Sequence, residues 1–303
     1  MPSQMTFIQF LCRATAALLR RSGERLSRYS KTAYGRSLPK LRPEDRQLLH
    51  LNENLRNFHE GTRCFVIGNG RSIRFQDLSH LANEITFVMN AFWKHDVVRV
   101  WQPTYYVLSD PILFDRSDSV KEFFADLKAR VQRTTFIIPL RQKTTVETDD
   151  LLPVASTHFV AFTGEFAGSL TEHTIDLAGM VPGIETVAQL ALMAAIYMGC
   201  SPIYLIGLDH NWLADRETAD YNFYQGKTLQ NHPLVTGRSM FPYDADMEAM
   251  LKVWKLYRKL KVFAEQQGIE IFNATEGSYL DVFERVSYQS LFSHKPEASA
   301  RLS

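Results

Sequence analysis

The chain has 303 residues, 45% apolar and 22% charged, with a formal net charge of +1. That apolar share supports a sizeable core in one large or two small domains. The charge gives no nucleic-acid footprint, so nucleic acid is not an expected partner, and no apolar run reaches membrane-spanning length.

The N-terminus opens on Phe7, Ile8, Phe10 and Leu11, continues through Ala14 to Leu19, and then meets Arg20 and Arg21. A secretory signal places its charges before the apolar region, and here they follow it. Residues 1–40 hold eight Lys/Arg against the single acid Glu24. The pattern predicts a basic amphipathic helix. It would lie on an anionic membrane surface through residues 5–28, or pack on its own domain or a second copy of the chain. Polar residues from Tyr29 to Pro43 read as a linker. The expected organisation is therefore an N-terminal helix and linker over 1–45, an α/β domain over 46–292, and a polar tail over 293–303.

The strongest motif is RCFVIGNGRSI, Arg63–Ile73. An apolar run, Cys64–Ile67, stops at Gly68-Asn69-Gly70, and Arg71-Ser72 leads into the amphipathic FQDLSHL. This reads as buried strand, glycine turn and helix start, with turn amides free to bind a phosphate. The third glycine of the dinucleotide fingerprint and the P-loop Gly-Lys-Ser/Thr are both missing. An ordinary glycine turn is the alternative.

Further strands are predicted at Ile85–Met89, Thr104–Leu108, Thr135–Ile138, His158–Phe162, Pro202–Ile206 and Ile269–Phe272. Helices are predicted at Pro43–Phe58, Ser119–Val131, Glu185–Met198 and Ala245–Gln267. The last carries a core stripe of Met247, Met250, Leu251, Trp254 and Tyr257. The alternation predicts a doubly wound, mostly parallel, Rossmann-like α/β sheet, which binds ligands at the carboxyl ends of its strands. Four strand ends carry small polar residues: Gly68-Asn69-Gly70, Asn90, Ser109-Asp110-Pro111 and Gly207-Leu208-Asp209-His210. Residues 211–243, rich in aromatics and with little periodicity, read as a lid. Cys12, Cys64 and Cys200 have no C-x-x-C spacing and read as buried free thiols of a reducing compartment.

Together these motifs resemble the MptE-like domain family and, more distantly, the bacterial CMP-sialic acid-dependent sialyltransferases. They are strand-GNGxS, an asparagine after the second strand, a strand ending in Asp-Pro, IYLIGLDH, and Asn231-His232 in the long loop. The resemblance covers roughly Arg63 to Phe292. MptE proteins transfer diphosphate from ATP to a hydroxymethyl pterin with magnesium. The sialyltransferases transfer a nonulosonic acid from its CMP ester without a metal. The resemblance implies nucleotide contacts from Gly68, Asn69, Gly70, Ser72 and Asn90. Asp110 stands where the sialyltransferases have an asparagine, and Thr186 is the nearest match to the residue opening the helix under the nucleotide. It also implies a lid base, His232, and leaving-group tyrosines matched by Tyr221 or Tyr224, with Asn211 in the second tyrosine's place.

An acceptor hydroxyl must lose a proton as it attacks an anomeric carbon, which suits a histidine near its ordinary pKa. His232 is one candidate and His210 the other. Asp209 and His210 are adjacent and would point to opposite faces of a continuing strand, so Asp209 meets a ribose, an acceptor or a capping group. The expectation is a glycosyltransferase of bacterial surface-glycan synthesis. It would use a nucleotide-sugar donor such as a CMP-linked nonulosonic acid, a glycan or protein acceptor and no cofactor, in the cytoplasm and peripherally at the inner membrane face. The alternative is an MptE-like diphosphokinase using ATP with Mg2+ held by Asp110 and Asp209 and an Arg71 clamp. A third reading is a nucleotide- or glycan-binding protein without turnover.

Overall fold

The computed structural model describes residues 41–163, 175–214, 222–224 and 242–293. The basic N-terminal segment, most of the expected lid, Cys12 and the C-terminal tail lie outside them. The chain divides into two units, Met1–Leu41 and Arg42–Ser303, and the described fold is that of the second.

Nine strands form one sheet among the described residues. They are β1 (Cys64–Ile67), β2 (Ile85–Met89), β3 (Tyr105–Val107), β4 (Thr135–Pro139), β5 (Thr157–Phe162), β6 (Met180–Val181), β7 (Ile203–Ile206), β8 (Ile271–Asn273) and β9 (Glu284–Arg285). Every strand pair is parallel, in the order β6-β5-β4-β3-β2-β1-β7-β8-β9. The chain therefore runs outward from β1 to β6, returns to set β7 against the other side of β1, and continues to β9. The strand order reverses between β2 and β7, on either side of β1.

Parallel strands buried on both faces read as continuous apolar runs, which made β1 and β2 legible at their observed bounds. Side chains alternate between two cores. Cys64 and Val66 join one, Phe65 and Ile67 the other. Cys64 and Cys200 are both buried free thiols. Pro202 has no N–H for the ladder, and β7 begins one residue later than predicted.

Among the described residues five α-helices accompany the strands: α1 (Pro43–His50), α2 (Asp118–Arg130), α3 (Lys143–Thr148), α4 (Val187–Tyr197) and α5 (Tyr243–Gln266). α4 is buried all round and packs beneath β1, β2 and β3. Its sequence, VAQLALMAAIY, has no polar face to offer water. α5 buries Val253, Leu256, Tyr257, Leu260, Phe263 and Ala264. The predicted core stripe holds only at its C-terminal end, because Met247 and Leu251 are 47% and 49% exposed.

Two further expectations are corrected. The helix predicted over Pro43–Phe58 ends at His50 and tightens into a 3-10 turn, Leu51–Leu55. The glycine turn leads into two 3-10 turns, Arg71–Phe75 and Leu78–Leu81, and not into an α-helix. Asp77 caps the second by accepting from Ser79 N–H, which ends the first turn before α-periodicity can build.

Candidate functional site: a cavity where β1 meets β7

The turns after β1 and β7 touch. Gly68 N–H donates to Ile206 O at 2.8 Å and Gly70 N–H to Gly207 O at 2.9 Å. A Cβ on Gly207 would come within 2.6 Å of Gly68 O, and Gly207 itself has φ +64°. A Cβ on Gly68 would overlap Gly207 O, and one on Gly70 would overlap the Asp209 carboxylate. These glycines are required by the close crossing of two backbones.

That crossing overturns one expectation. The amides of Gly68 and Gly70 are spent on β7. Ser72 N–H donates to Asp209 Oδ1 at 3.0 Å, and Ser72 Oγ–H to Asp209 Oδ2 at 2.7 Å. A carboxylate from this chain occupies the place where the sequence put a phosphate. Burial raises the Asp209 carboxyl pKa, and the Ser72 bonds act against that rise. Ser72 thus serves Asp209 and does not line the cavity described next.

Beside the crossing lies a cavity of about 260 Å³. Among the predicted residues, Gly68, Asn69, Gly70, Asn90, Thr186, Asp209, His210, Asn211 and Tyr224 line it, together with Trp212 and Asn222. Asn69 Nδ2 donates to Met89 O at 3.1 Å, which turns the other end of the amide away from β2. Asn69 Oδ1 is then buried with no hydrogen-bond partner among the described residues, and so is Asn90 Oδ1. Asn90 has φ +49°, and Tyr106 Oη–H holds it there by donating to its carbonyl at 2.6 Å. Thr186 is the N-cap residue of α4. Gln189 Oε1 accepts from Glu185 N–H and Thr186 N–H, while Gln189 Nε2 donates to Val253 O and ties α4 to α5.

His210 also sits at φ +49°, past the end of β7, so the alternation expected of a continuing strand does not apply. Asp209 and His210 still diverge: Asp209 goes to Ser72, and His210 Nε2 lies 3.1 Å from Tyr257 Oη. Trp212, Trp254 and Tyr257 surround the imidazole at ring-centroid distances of 4.8, 5.5 and 5.4 Å. Burial pulls its pKa down to about 4, so the ring is neutral at neutral pH. A phenol is the better donor and an imidazole nitrogen the better acceptor. The favoured arrangement is therefore Tyr257 O–H to Nε2, with the ring proton on Nδ1. Nδ1 is buried with no partner among the described residues. A ring this weakly basic is suited to donating a hydrogen bond and poorly suited to removing a proton from a hydroxyl.

This burial predicts a pH dependence. The unfolded chain protonates His210 near its ordinary 6.5, whereas the folded chain resists until about 4. The unfolded state binds more protons between those values, so this contribution is complete above 6.5 and is lost as pH falls toward 4. The shift corresponds to about 3 kcal/mol. Asp209, raised by burial, works in the opposite sense. Melting temperature should fall between pH 7 and pH 4.5 by several degrees more in the parent protein than in His210→Gln. Equal falls would show that His210 does not carry the effect.

The short stretch Asn222–Tyr224 is pinned to the glycine turn. Phe223 N–H donates to Asn69 O at 2.9 Å, and Arg74 donates to the carbonyls of Phe223 and Asn222. Tyr224 is thereby set at the cavity wall, with Lys94 Nζ 5.0 Å from its ring centroid. Sequence reading missed Arg74 and treated Tyr257 only as core, since its place in the helical stripe carries no other signal.

Asp110 is not brought to the site. Its Oδ1 accepts from Ile112 N–H and caps the turn Pro111–Phe114, two strands away from the crossing. No group of three or more His, Cys, Asp or Glu able to hold a metal ion occurs among the described residues. His232 and Tyr221 lie outside the described residues.

No protein-family model matches the chain, and no curated protein is significantly similar to it. The MptE-like resemblance drawn from the motifs thus has no family-model match behind it. Partial backbone similarity, at TM-scores below 0.5, is found to solved sialyltransferase structures. The sialyltransferase CstII from Campylobacter jejuni, in complex with cytidine-5'-monophosphate, is 15% identical over 75% of this chain and 86% of its own, with a TM-score of 0.46. CST-II in complex with a trisaccharide acceptor and CMP is 14% identical over 75% and 86%, with a TM-score of 0.42. The monofunctional alpha-2,3-sialyltransferase Cst-I from Campylobacter jejuni is 14% identical over 73% and 78%, also at 0.42.

Proposed function

We propose that this chain is a glycosyltransferase that uses a nucleotide-activated sugar, with a CMP-linked nonulosonic acid as the donor. The observation carrying this reading is a set of polar atoms in one cavity at the strand-order reversal that have no partner among the described residues: Asn69 Oδ1, Asn90 Oδ1 and His210 Nδ1. Each buried, unpaired polar group costs about 1–3 kcal/mol, which a ligand supplying the partner recovers. Two acceptors suit an exocyclic amine or ribose hydroxyls, and the neutral imidazole N–H suits a phosphate oxygen. At about 260 Å³ the cavity falls just below the usual range of roughly 300–1,000 Å³ for small-molecule sites. Its size fits a mononucleotide with a pyrimidine better than a dinucleotide. The crevice beside β1 is also where open parallel sheets bind ligands.

In the proposed reaction, an acceptor hydroxyl oxygen bonds to the anomeric carbon. The bond from that carbon to the nucleotide phosphate breaks, and its electron pair leaves with CMP. The hydroxyl proton passes to His232, the base that the resemblance implies. Tyr224, with Tyr221 as the motif's other match, donates to the departing phosphate, as does His210 Nδ1–H. Gly68, Gly70 and Thr186 shape the nucleotide's floor. The basic segment 5–28 is proposed to dock on anionic lipid and bring the enzyme to the inner membrane face.

Calorimetric titration with CMP tests the cavity. Asn69→Ala and Asn90→Ala should each weaken CMP by about tenfold, the loss of one charge-free hydrogen bond and its buried partner. Unchanged affinity in both variants would place the nucleotide elsewhere.

A further inference from the structure

His210 forms part of the cavity wall, and its imidazole is packed in an aromatic cage. The cage is itself fastened. Trp254 Nε1–H donates to Asp281 Oδ1 at 2.8 Å. Tyr257 is fully buried, and its ring meets Phe283 edge-on with centroids 5.8 Å apart. One turn earlier on α5, Val253 O accepts from Gln189 Nε2 at 3.0 Å, and Gln189 also accepts from Thr186 N–H at the start of α4. The Tyr257 phenol is thus held in register with Thr186, another residue of the cavity wall.

A neutral imidazole carries one ring proton, and the bond made by one nitrogen decides whether the other holds it. Nδ1 is the nitrogen with no partner among the described residues. With the proton there, the cavity offers one donor beside the two amide oxygens of Asn69 and Asn90. With the proton on Nε2, Nδ1 would be a third acceptor, and a phosphate oxygen would meet a lone pair. Tyr257 Oη, 3.1 Å from Nε2, is the group placed to make that choice. When the phenolic O–H donates to Nε2, the ring proton is confined to Nδ1. The reverse pairing has Nε2–H donating to Oη, with the phenolic proton turned to the neighbouring Thr186 side chain. A hydroxyl oxygen is a weaker acceptor than an imidazole nitrogen, which favours the first pairing.

We infer that Tyr257 is a positioning residue: its hydroxyl locks His210 in the Nδ1–H tautomer, and this makes the cavity select a phosphorylated nucleotide over the bare nucleoside. The inference rests on the reading of this cavity as the nucleotide-sugar site. Tyr257 is not among the cavity's lining residues and acts through the ring. Inside its cage the imidazole presents its N–H in surroundings of low dielectric, where a hydrogen bond to an anionic oxygen is strong. A nucleoside has no such oxygen and gains nothing from the locked proton.

Nitrogen NMR on the full-length protein, labelled at histidine, reads the tautomer without any ligand. His210 should show Nδ1 protonated and Nε2 bare, and Tyr257→Phe should bring the other tautomer into the population. A parent His210 protonated at Nε2, or a tautomer unmoved by Tyr257→Phe, overturns the inference. Calorimetric titration with CMP and with cytidine then reads the selection. Tyr257→Phe keeps the ring and its packing. It should weaken CMP by about tenfold, the loss of one hydrogen bond to a charged group, and leave cytidine within about twofold. In a His210→Ala background the same substitution should change neither ligand, because a residue acting through another has no effect once that other is removed. CMP and cytidine weakened alike, or an undiminished effect without His210, would make Tyr257 a packing residue and overturn the inference. A parent that binds neither CMP nor cytidine sinks the nucleotide reading and the selection with it. CMP binding whose ratio to cytidine is unchanged in Tyr257→Phe sinks this inference alone.

Discussion

Gly70→Ala is expected to lower the melting temperature by roughly 5–10 °C, from a cost of about 3 kcal/mol in a unit of this size. The added methyl would fall on the Asp209 carboxylate and 2.7 Å from Gly207 O. Neither neighbour yields cheaply. Asp209 is tied to Ser72 by both carboxylate oxygens, and Gly207 O accepts from Gly70 N–H itself. Gly179→Ala is the control. Its nearest contact is Asp176 Oδ2 at 3.4 Å, with an ordinary backbone. That variant should stay within about 0.5 kcal/mol of the parent. The comparison separates a glycine kept for backbone approach from one that is merely present. A Gly70→Ala protein melting like the parent would refute the crossing of the β1 and β7 turns.

His232→Ala is expected to reduce turnover by about a hundred- to ten-thousand-fold, the usual contribution of a positioned general base. CMP affinity should stay as in the parent, because the atoms assigned to the nucleotide are those of Asn69, Asn90 and His210. The division of labour follows from the setting of His210. His210 is neutral, buried and bonded to Tyr257, which leaves it a donor and removes it as the base. Transfer from CMP-N-acetylneuraminic acid to lactose, with CMP release followed in parallel, provides the readout. Parent-level turnover in His232→Ala would strike out the assigned base. A parallel loss of CMP affinity would make it a binding residue.

Much of the fold was legible because parallel strands announce themselves. CFVI and ITFVM are uninterrupted apolar runs between turns, and both are strands at the predicted bounds. Two-residue strands such as Met180–Val181 and Glu284–Arg285 are too short to show any period. The glycine turn was correctly located, but the amides of Gly68, Gly70 and Ser72 are engaged within the chain and are not free for a phosphate. The sequence pattern of a phosphate loop and that of two crossing backbones are the same, and only the contact with Gly207 and Asp209 distinguishes them. Asn69, Asn90, Thr186 and His210 stand out in the sequence because they follow strands or open a helix, and all four line the cavity. Asp110 follows a strand too, yet β3 is far from the reversal, and its carboxylate serves the next turn. Strand order cannot be read from periodicity, so the strand ends that share a cavity were not separable from those that do not.

The central claim is that the cavity beside the β1–β7 crossing holds the nucleotide of a CMP-linked sugar. Thermal melting of the full-length protein with CMP, CDP, UDP, GDP and ATP, each with and without magnesium, tests it most directly. A ligand at a hundred times its Kd adds about 2.7 kcal/mol, or roughly 5–10 °C here. The account predicts such a rise with CMP, equal in the presence and absence of magnesium. A rise confined to ATP with magnesium would contradict it in favour of diphosphate transfer, and no rise with any nucleotide would contradict it outright.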